Sequence, residues 1–378
     1  MTKPAVRVVS VLAALASIAL FGALLASCSK KTSLVTGPDD AIQTVAGIKA
    51  TQVELQAAMR SQLSHTPALM AVSGVVGTAI TADAQGRPAI MVMTESPMGA
   101  GRLPATLDGY NVIQNVTGRI HAFKGKPGGG GGVSHTARQT PPIQLGTSGG
   151  NVNDVANGYC CSGTLGALVH IGNTQYILSN SHVFSGDVVS GGNNHVATIG
   201  DDINQPGLVD NNCSTSNTNI VADLSSLSTL YPPASTPNVD CAIAQVRSGM
   251  VRSDGAILEI GTISASTAAA FVGQAVKKSG RTTGLTRGSV SGLNATISVG
   301  YETECAGTSF TKTFTGQIIV SQRRSSFLNS GDSGSLMVED VSTNPRAVGL
   351  LYAGSASTAV ANPINDVLGH LGAQMVGQ

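Results

Sequence analysis

Gly331-Asp332-Ser333-Gly334-Ser335, followed at once by the apolar run Leu336-Met337-Val338, sets a serine in a glycine-flanked turn at the entrance to a strand. The glycines let the backbone bend sharply, so the N–H groups of Gly331 and Ser333 can converge on one point. Upstream, Tyr176-Ile177-Leu178-Ser179-Asn180-Ser181-His182 reads as a strand ending in a polar turn that presents a histidine. Between them, Asn238-Val239-Asp240-Cys241-Ala242-Ile243-Ala244 puts an aspartate at the start of an apolar strand, where a buried carboxylate needs a partner.

Serine, histidine and aspartate are the groups that nucleophilic acyl transfer requires. A hydroxyl is a weak nucleophile and needs a base within hydrogen-bond reach. Neutral imidazole is that base near pH 7, and a carboxylate on its other nitrogen fixes the tautomer. Each segment alone is weak, because a histidine after a strand or an aspartate before one is usually structural. The order His182, Asp240, Ser333 within one β-rich stretch, with separations of 58 and 93 residues, is what carries the signal.

The surrounding sequence is β-like. Of 378 residues 46 are Gly, only 11% are charged and 3% are aromatic, with no Trp. Short apolar runs broken by Gly, Asn and Pro recur from Ile143 to the C-terminus, with one helical pattern at Ile364–Leu371. About 235 residues of short strands suit two small barrels better than one. No basic stripe with interleaved aromatics is present, which argues against nucleic acid as a partner. No Cys-x-x-Cys or helical His pair suggests a metal, and no cofactor motif is present.

The N-terminus reads as an export signal. Lys3 and Arg7 precede an unbroken apolar or small-residue run over residues 8–26, and Leu25-Ala26-Ser27-Cys28 follows. That run is also long enough to cross a bilayer. The Leu-Ala-Ser-Cys segment resembles a bacterial lipobox, which implies a signal peptide over 1–27, a lipid on Cys28 and a polar tether over 28–40. The protein is then an exported lipoprotein held at a membrane and facing the periplasm or exterior, on the outer membrane if Gram-negative. Lys3 and Arg7 are the only charges in 1–27, so of 22 basic and 21 acidic residues the mature chain keeps 20 and 21. Export permits disulfides among Cys160, Cys161, Cys213, Cys241 and Cys305, whose pairing the spacing leaves open.

Residues 41–124 read as a small α+β module: a helix over 41–64, strands over 69–80 and 88–94 joined by a turn at 83–87, and a strand near 110–116. Residues 125–142, with five consecutive glycines, form a linker, because such a run is too costly in entropy to order. The module is either a permanent accessory domain or a pro-region cut in this linker. The accessory reading is preferred, since a cut would discard the lipid anchor.

Residues 143–378 resemble the trypsin-like, chymotrypsin-fold serine peptidase superfamily through the GDSGS, SNSHVF and VDCAIA segments and through Val276-Lys277-Lys278-Ser279-Gly280-Arg281-Thr282-Thr283-Gly284. The last is similar to secreted bacterial members, which carry a disulfide at the positions of Lys277 and Arg287; this chain lacks both cysteines. The SNSH and VDCAIA forms resemble a bacterial branch that also includes the plant narrow-leaf proteins. The resemblance implies a mostly β fold of two six-stranded antiparallel barrels after the α+β module. It implies a serine endopeptidase with His182, Asp240 and Ser333 as triad, an oxyanion hole from the backbone of Gly331 and Ser333, and a protein or peptide substrate. It also implies a primary pocket with Phe327 at the floor and the Tyr352–Gly354 strand as wall, hence a preference for small or medium apolar side chains. The alternatives are a catalytically silent relative kept as a binding module, and an acyl or ester hydrolase on the same machinery. An α/β-hydrolase is disfavoured, since Gly-x-Ser-x-Gly is absent at Ser333.

Overall fold

Thr51 and Glu54 decide where the first helix begins. The Thr51 hydroxyl accepts from Glu54 N at 3.1 Å and the Glu54 carboxylate accepts from Thr51 N at 2.7 Å, a reciprocal cap. Helix α1 therefore spans Gln52–Met70, later than the 41–64 expected, because residues 44–49 are already used in a two-stranded pair. The computed structural model describes residues 44–122, 134–156, 159–191, 195–235, 237–301, 307–322 and 327–378. The export segment, Cys28, the tether, the glycine run and Cys305 lie outside them. Among the described residues no helix is long and apolar enough to cross a membrane.

Strands β1 (Val75–Ala82), β2 (Pro88–Thr94) and β3 (Tyr110–Val116) form the sheet of the leading module. β2 reads as an unbroken apolar run because both its faces are covered. Ile90 and Val92 face a cluster with Leu55 and Leu69 of α1, while Met91 and Met93 join a second cluster. A short strand β4 (Ile120–Ala122) ends the described part of the module.

The first large sheet comprises β5 (Thr147–Asn151), β6 (Gly163–Leu165), β7 (Ala167–Ile171), β8 (Thr174–Ser179), β9 (Asp202–Gln205), β10 (Asn219–Leu227) and β11 (Ala242–Val246). Their order is β6-β5-β9-β10-β11-β8-β7, all antiparallel. The second comprises β12 (Ala275–Gly280), β13 (Gly284–Tyr301), β14 (Phe310–Ser321), β15 (Leu336–Glu339), β16 (Ala347–Gly354) and β17 (Thr358–Pro363). Its order is β12-β15-β16-β17-β14-β13, and β13 pairs back onto β12, closing a six-stranded barrel. Helix α2 (Ile364–Leu371) then leads to β18 (Gln374–Met375), which returns to β7 of the first sheet.

The fold is thus mostly β, two antiparallel barrel-like sheets of the chymotrypsin-like type with a small helix-bearing module in front. The module continues the second barrel: β1 pairs antiparallel with β13 at Leu293↔Ile80 and Ile297↔Gly77. A buried polar chain crosses that seam, with Asn294 Nδ2 donating to Gln62 Oε1 at 2.9 Å and Gln62 Nε2 to Thr78 Oγ1 at 2.7 Å. Residues 42–378 form one compact unit.

Lys277 and Arg287 are direct partners across β12 and β13. Both cations are satisfied by the same neighbouring segment, Lys277 Nζ donating to the Val341 carbonyl at 2.6 Å and Arg287 pairing with Asp340 at 3.2 Å. A covalent staple sits elsewhere: Cys160 and Cys213 are bonded, closing a 53-residue separation. Cys161 is disulfide-bonded too.

Candidate active site

β8 ends at Ser179, and a single helical turn, Ser181–Phe184, carries His182. Asn180 anchors that turn across the sheet by donating to the Asp240 carbonyl at 2.7 Å. Asp240 stands just before β11, and its N–H donates at 2.9 Å to Asn362 of β17, in the other barrel. His182 Nδ1 meets Asp240 Oδ2 at 2.5 Å, and the His182 N–H reaches Oδ1 at 3.3 Å. Both side chains are buried. The imidazole is therefore held as the Nδ1–H tautomer, with Nε2 left as the basic atom. Nε2 has no partner among the described residues.

Ser333 comes from the loop before β15. Gly331 and Gly334 both take φ of +93°, a region that a side chain disfavours. This turn points the Gly331 carbonyl at the Thr164 hydroxyl (2.9 Å) and the Ser333 carbonyl at Thr164 N (2.9 Å). Neither the Gly331 nor the Ser333 N–H has an acceptor among the described residues. Two main-chain donors are thus free beside the hydroxyl, the arrangement that stabilises a developing oxyanion.

The loop is braced by Asp332. Its carboxylate accepts from Thr282 N, Thr283 N, Thr283 Oγ1 and Asn329 N at 2.7–3.1 Å. Lys278 Nζ lies 3.4 Å away, and both charged groups are fully buried. Burial pulls the Lys278 ammonium below its ordinary range, and the Asp332 charge opposes that. The brace was missed by sequence reasoning, although Lys278 and Thr282-Thr283 lie in a segment already singled out.

The Ser333 hydroxyl donates to the Tyr352 carbonyl at 3.1 Å rather than to His182. The two loops do meet: a Cβ added at Gly163 would lie 2.6 Å from Val183 and 2.9 Å from the Ser333 carbonyl oxygen. Catalytic hydrogen bonds often tighten only in the substrate complex. Ser333 is 1% exposed and His182 2%. Beside the Tyr352–Gly354 strand runs β4. It pairs with β16 at Gly354↔His121 and runs parallel to β13 over Val299–Tyr301.

The pocket residues are placed unevenly. Tyr352 supplies the carbonyl next to Ser333, while its ring packs on Phe314. Gly354 faces Leu328, whose Cδ2 would lie 2.7 Å from an added Cβ. Phe327 is not turned to that wall: its ring is buried with Val276, Val290, Val320 and Leu351 in the barrel core. Leu328 is buried in the same cluster. Phe327→Ala should therefore cost about 3–5 kcal/mol of stability, read as a lower denaturant midpoint, rather than enlarge the substrate range.

Cys241, the free thiol beside Asp240, is buried, and burial followed by the Asp240 charge pushes its pKa far above the usual thiol range.

The two sheets, with these loops between them, give the chain a chymotrypsin-like fold. A family model described as the Nal1 C-terminal domain matches residues 237–362, which hold Asp240 and Ser333 but not His182. Solved structures similar to it include a glutamic acid-specific serine protease, 18% identical over 62% of this chain and 100% of that one, with a TM-score of 0.40. Thermobifida fusca protease A is 19% identical over 62% and 99%, TM-score 0.39, and the Cellulomonas bogoriensis chymotrypsin 19% over 62% and 99%, TM-score 0.37. No curated protein matches the chain.

Proposed function

We propose that this chain is a serine endopeptidase acting through an acyl-enzyme, and that the form described here is its closed state. The observation that carries the reading is the His182–Asp240 pair at 2.5 Å together with a serine flanked by two main-chain donors unused among the described residues. In the reaction Ser333 Oγ bonds to the substrate carbonyl carbon as its proton passes to His182 Nε2. The oxyanion is met by the Gly331 and Ser333 N–H groups. The C–N bond then breaks as Nε2 returns the proton to the leaving amine. Water, deprotonated by the same nitrogen, attacks the ester and releases the acid.

The closed state rests on β4. An extended substrate reaching Ser333 along the Tyr352–Gly354 edge needs the backbone groups that His121 occupies. This favours the pro-region reading of the module over the accessory one, with a cut in the glycine-rich segment after it. Export and a lipid on Cys28 belong to the same proposal, and they place the closed form at a membrane before the cut. An apolar substrate preference belongs to the same proposal, and rests on the apolar Tyr352–Gly354 strand with Leu328 against Gly354.

A fluorophosphonate probe tests both parts. The intact chain should label slowly, and cleavage within residues 123–133 should speed labelling at Ser333 at least about tenfold. Absence of label in both forms would leave a protein-binding module. Label with ester but not peptide turnover would favour an acyl hydrolase.

A further inference from the structure

Tyr301 closes β13 and belongs to neither the histidine, the aspartate nor the serine segment. Its hydroxyl donates to Asp240 Oδ2 at 3.0 Å, the same oxygen that His182 Nδ1 meets at 2.5 Å. Its ring edge stands against the His182 ring, with centroids 5.8 Å apart at 76°. Its face stacks on Phe310, its cross-strand partner, at 4.7 Å and 5°. The side chain is 2% exposed. One residue thus touches both members of the pair and is itself held by a neighbour in register.

The Asp240 carboxylate has three donors among the described residues: two from His182 and the Tyr301 hydroxyl. Among the described residues Tyr301 is the only donor outside the histidine itself. The other polar groups near Asp240 are otherwise engaged or unable to substitute. Lys312 Nζ is bound to the carbonyls of Pro233 and Ser235. Among the described residues the Tyr352 hydroxyl has no partner, and the Cys241 thiol is buried and free. Burial, then the Asp240 charge, hold the Tyr301 phenol well above its usual range, so it stays a donor at any working pH.

We propose that Tyr301 is a positioning residue of the catalytic apparatus, which fixes the Asp240 carboxylate and thereby the orientation and basicity of His182. The role rests on the protease reading above. A donor on Oδ2 shares the carboxylate's negative charge, and this limits how tightly Asp240 holds the imidazolium proton. Without it the carboxylate is free to rotate, and it binds that proton more strongly.

The test uses Tyr301→Phe and Tyr301→Leu in the full chain, assayed after cleavage in residues 123–133. Tyr301→Phe keeps the stack on Phe310 and loses only the hydroxyl. The expected result is an unchanged KM, kcat lower by about tenfold, and the acidic limb of the pH–kcat/KM profile moved up by about half a unit. A packing role alone predicts wild-type kcat and limb in Tyr301→Phe, with loss confined to Tyr301→Leu; that result overturns the proposal. A second readout does not need turnover. The His182 ring titration, followed by proton NMR, should shift upward in Tyr301→Phe, and an unshifted titration also overturns it. A wild-type chain that neither labels nor turns over, yet shows the shift, would sink the protease reading and leave Tyr301's hold on the pair standing.

Discussion

Ser333→Ala should lower peptide turnover by roughly four orders of magnitude or more while leaving the fold intact. The fold survives because the hydroxyl makes one hydrogen bond, to the Tyr352 carbonyl, and losing such a bond costs only about 1 kcal/mol. The glycine turn, the Thr164 contacts and the Asp332 brace are backbone features or belong to other side chains. The two free N–H groups remain, so a residual rate above the uncatalysed one is expected. His182→Ala should lose about as much, and the double variant little more, since the two act as one unit. The measurement is steady-state hydrolysis of an apolar peptide by chains cut within residues 123–133. Turnover by Ser333→Ala within tenfold of the parent would remove Ser333 as the nucleophile.

The parts legible in the sequence are those whose signal is local. A strand ending in Ser179-Asn180-Ser181-His182, an Asp opening an apolar strand and a serine in a glycine-flanked turn each show in under ten residues. The helix at Ile364–Leu371 shows likewise. What stayed hidden depends on partners far away in the chain. Tyr301 lies 61 residues from the carboxylate it binds, and nothing in Ser298-Val299-Gly300-Tyr301 marks it. Asn362, which fixes the Asp240 backbone, lies 122 residues away. The module looked separate because five glycines follow it. Its β1 strand nevertheless continues the second barrel, since edge pairing between distant strands leaves no local trace. Phe327 lies in the core of the second barrel, among residues from four distant strands, and nothing in its own segment marks that packing.

The buried pair beneath the oxyanion loop supplies the second large effect. Lys278→Met should destabilise the protein by about 3 kcal/mol and lower kcat by about a hundredfold. The stability loss follows from leaving the Asp332 carboxylate, which is fully buried, with no countercharge. Four donors still reach it, which is why the lower end of the range for a broken buried pair applies. The rate loss follows from position. Asp332 lies between the two residues whose N–H groups face the oxyanion, and its carboxylate ties that loop to Thr282 and Thr283. If the carboxylate protonates or shifts to escape an uncompensated charge, the Gly331–Ser333 backbone shifts with it. Adding Asp332→Asn to Lys278→Met removes the stranded charge, so the double variant should regain much of the stability lost by the single one. It should not regain the rate, because an amide cannot accept from Thr282 N, Thr283 N and Asn329 N as a carboxylate does. Denaturant midpoints and kcat measured on the same three proteins separate the two effects. Recovery of both together would mean that the pair serves only to stabilise the barrel, and that the oxyanion loop holds its shape without it.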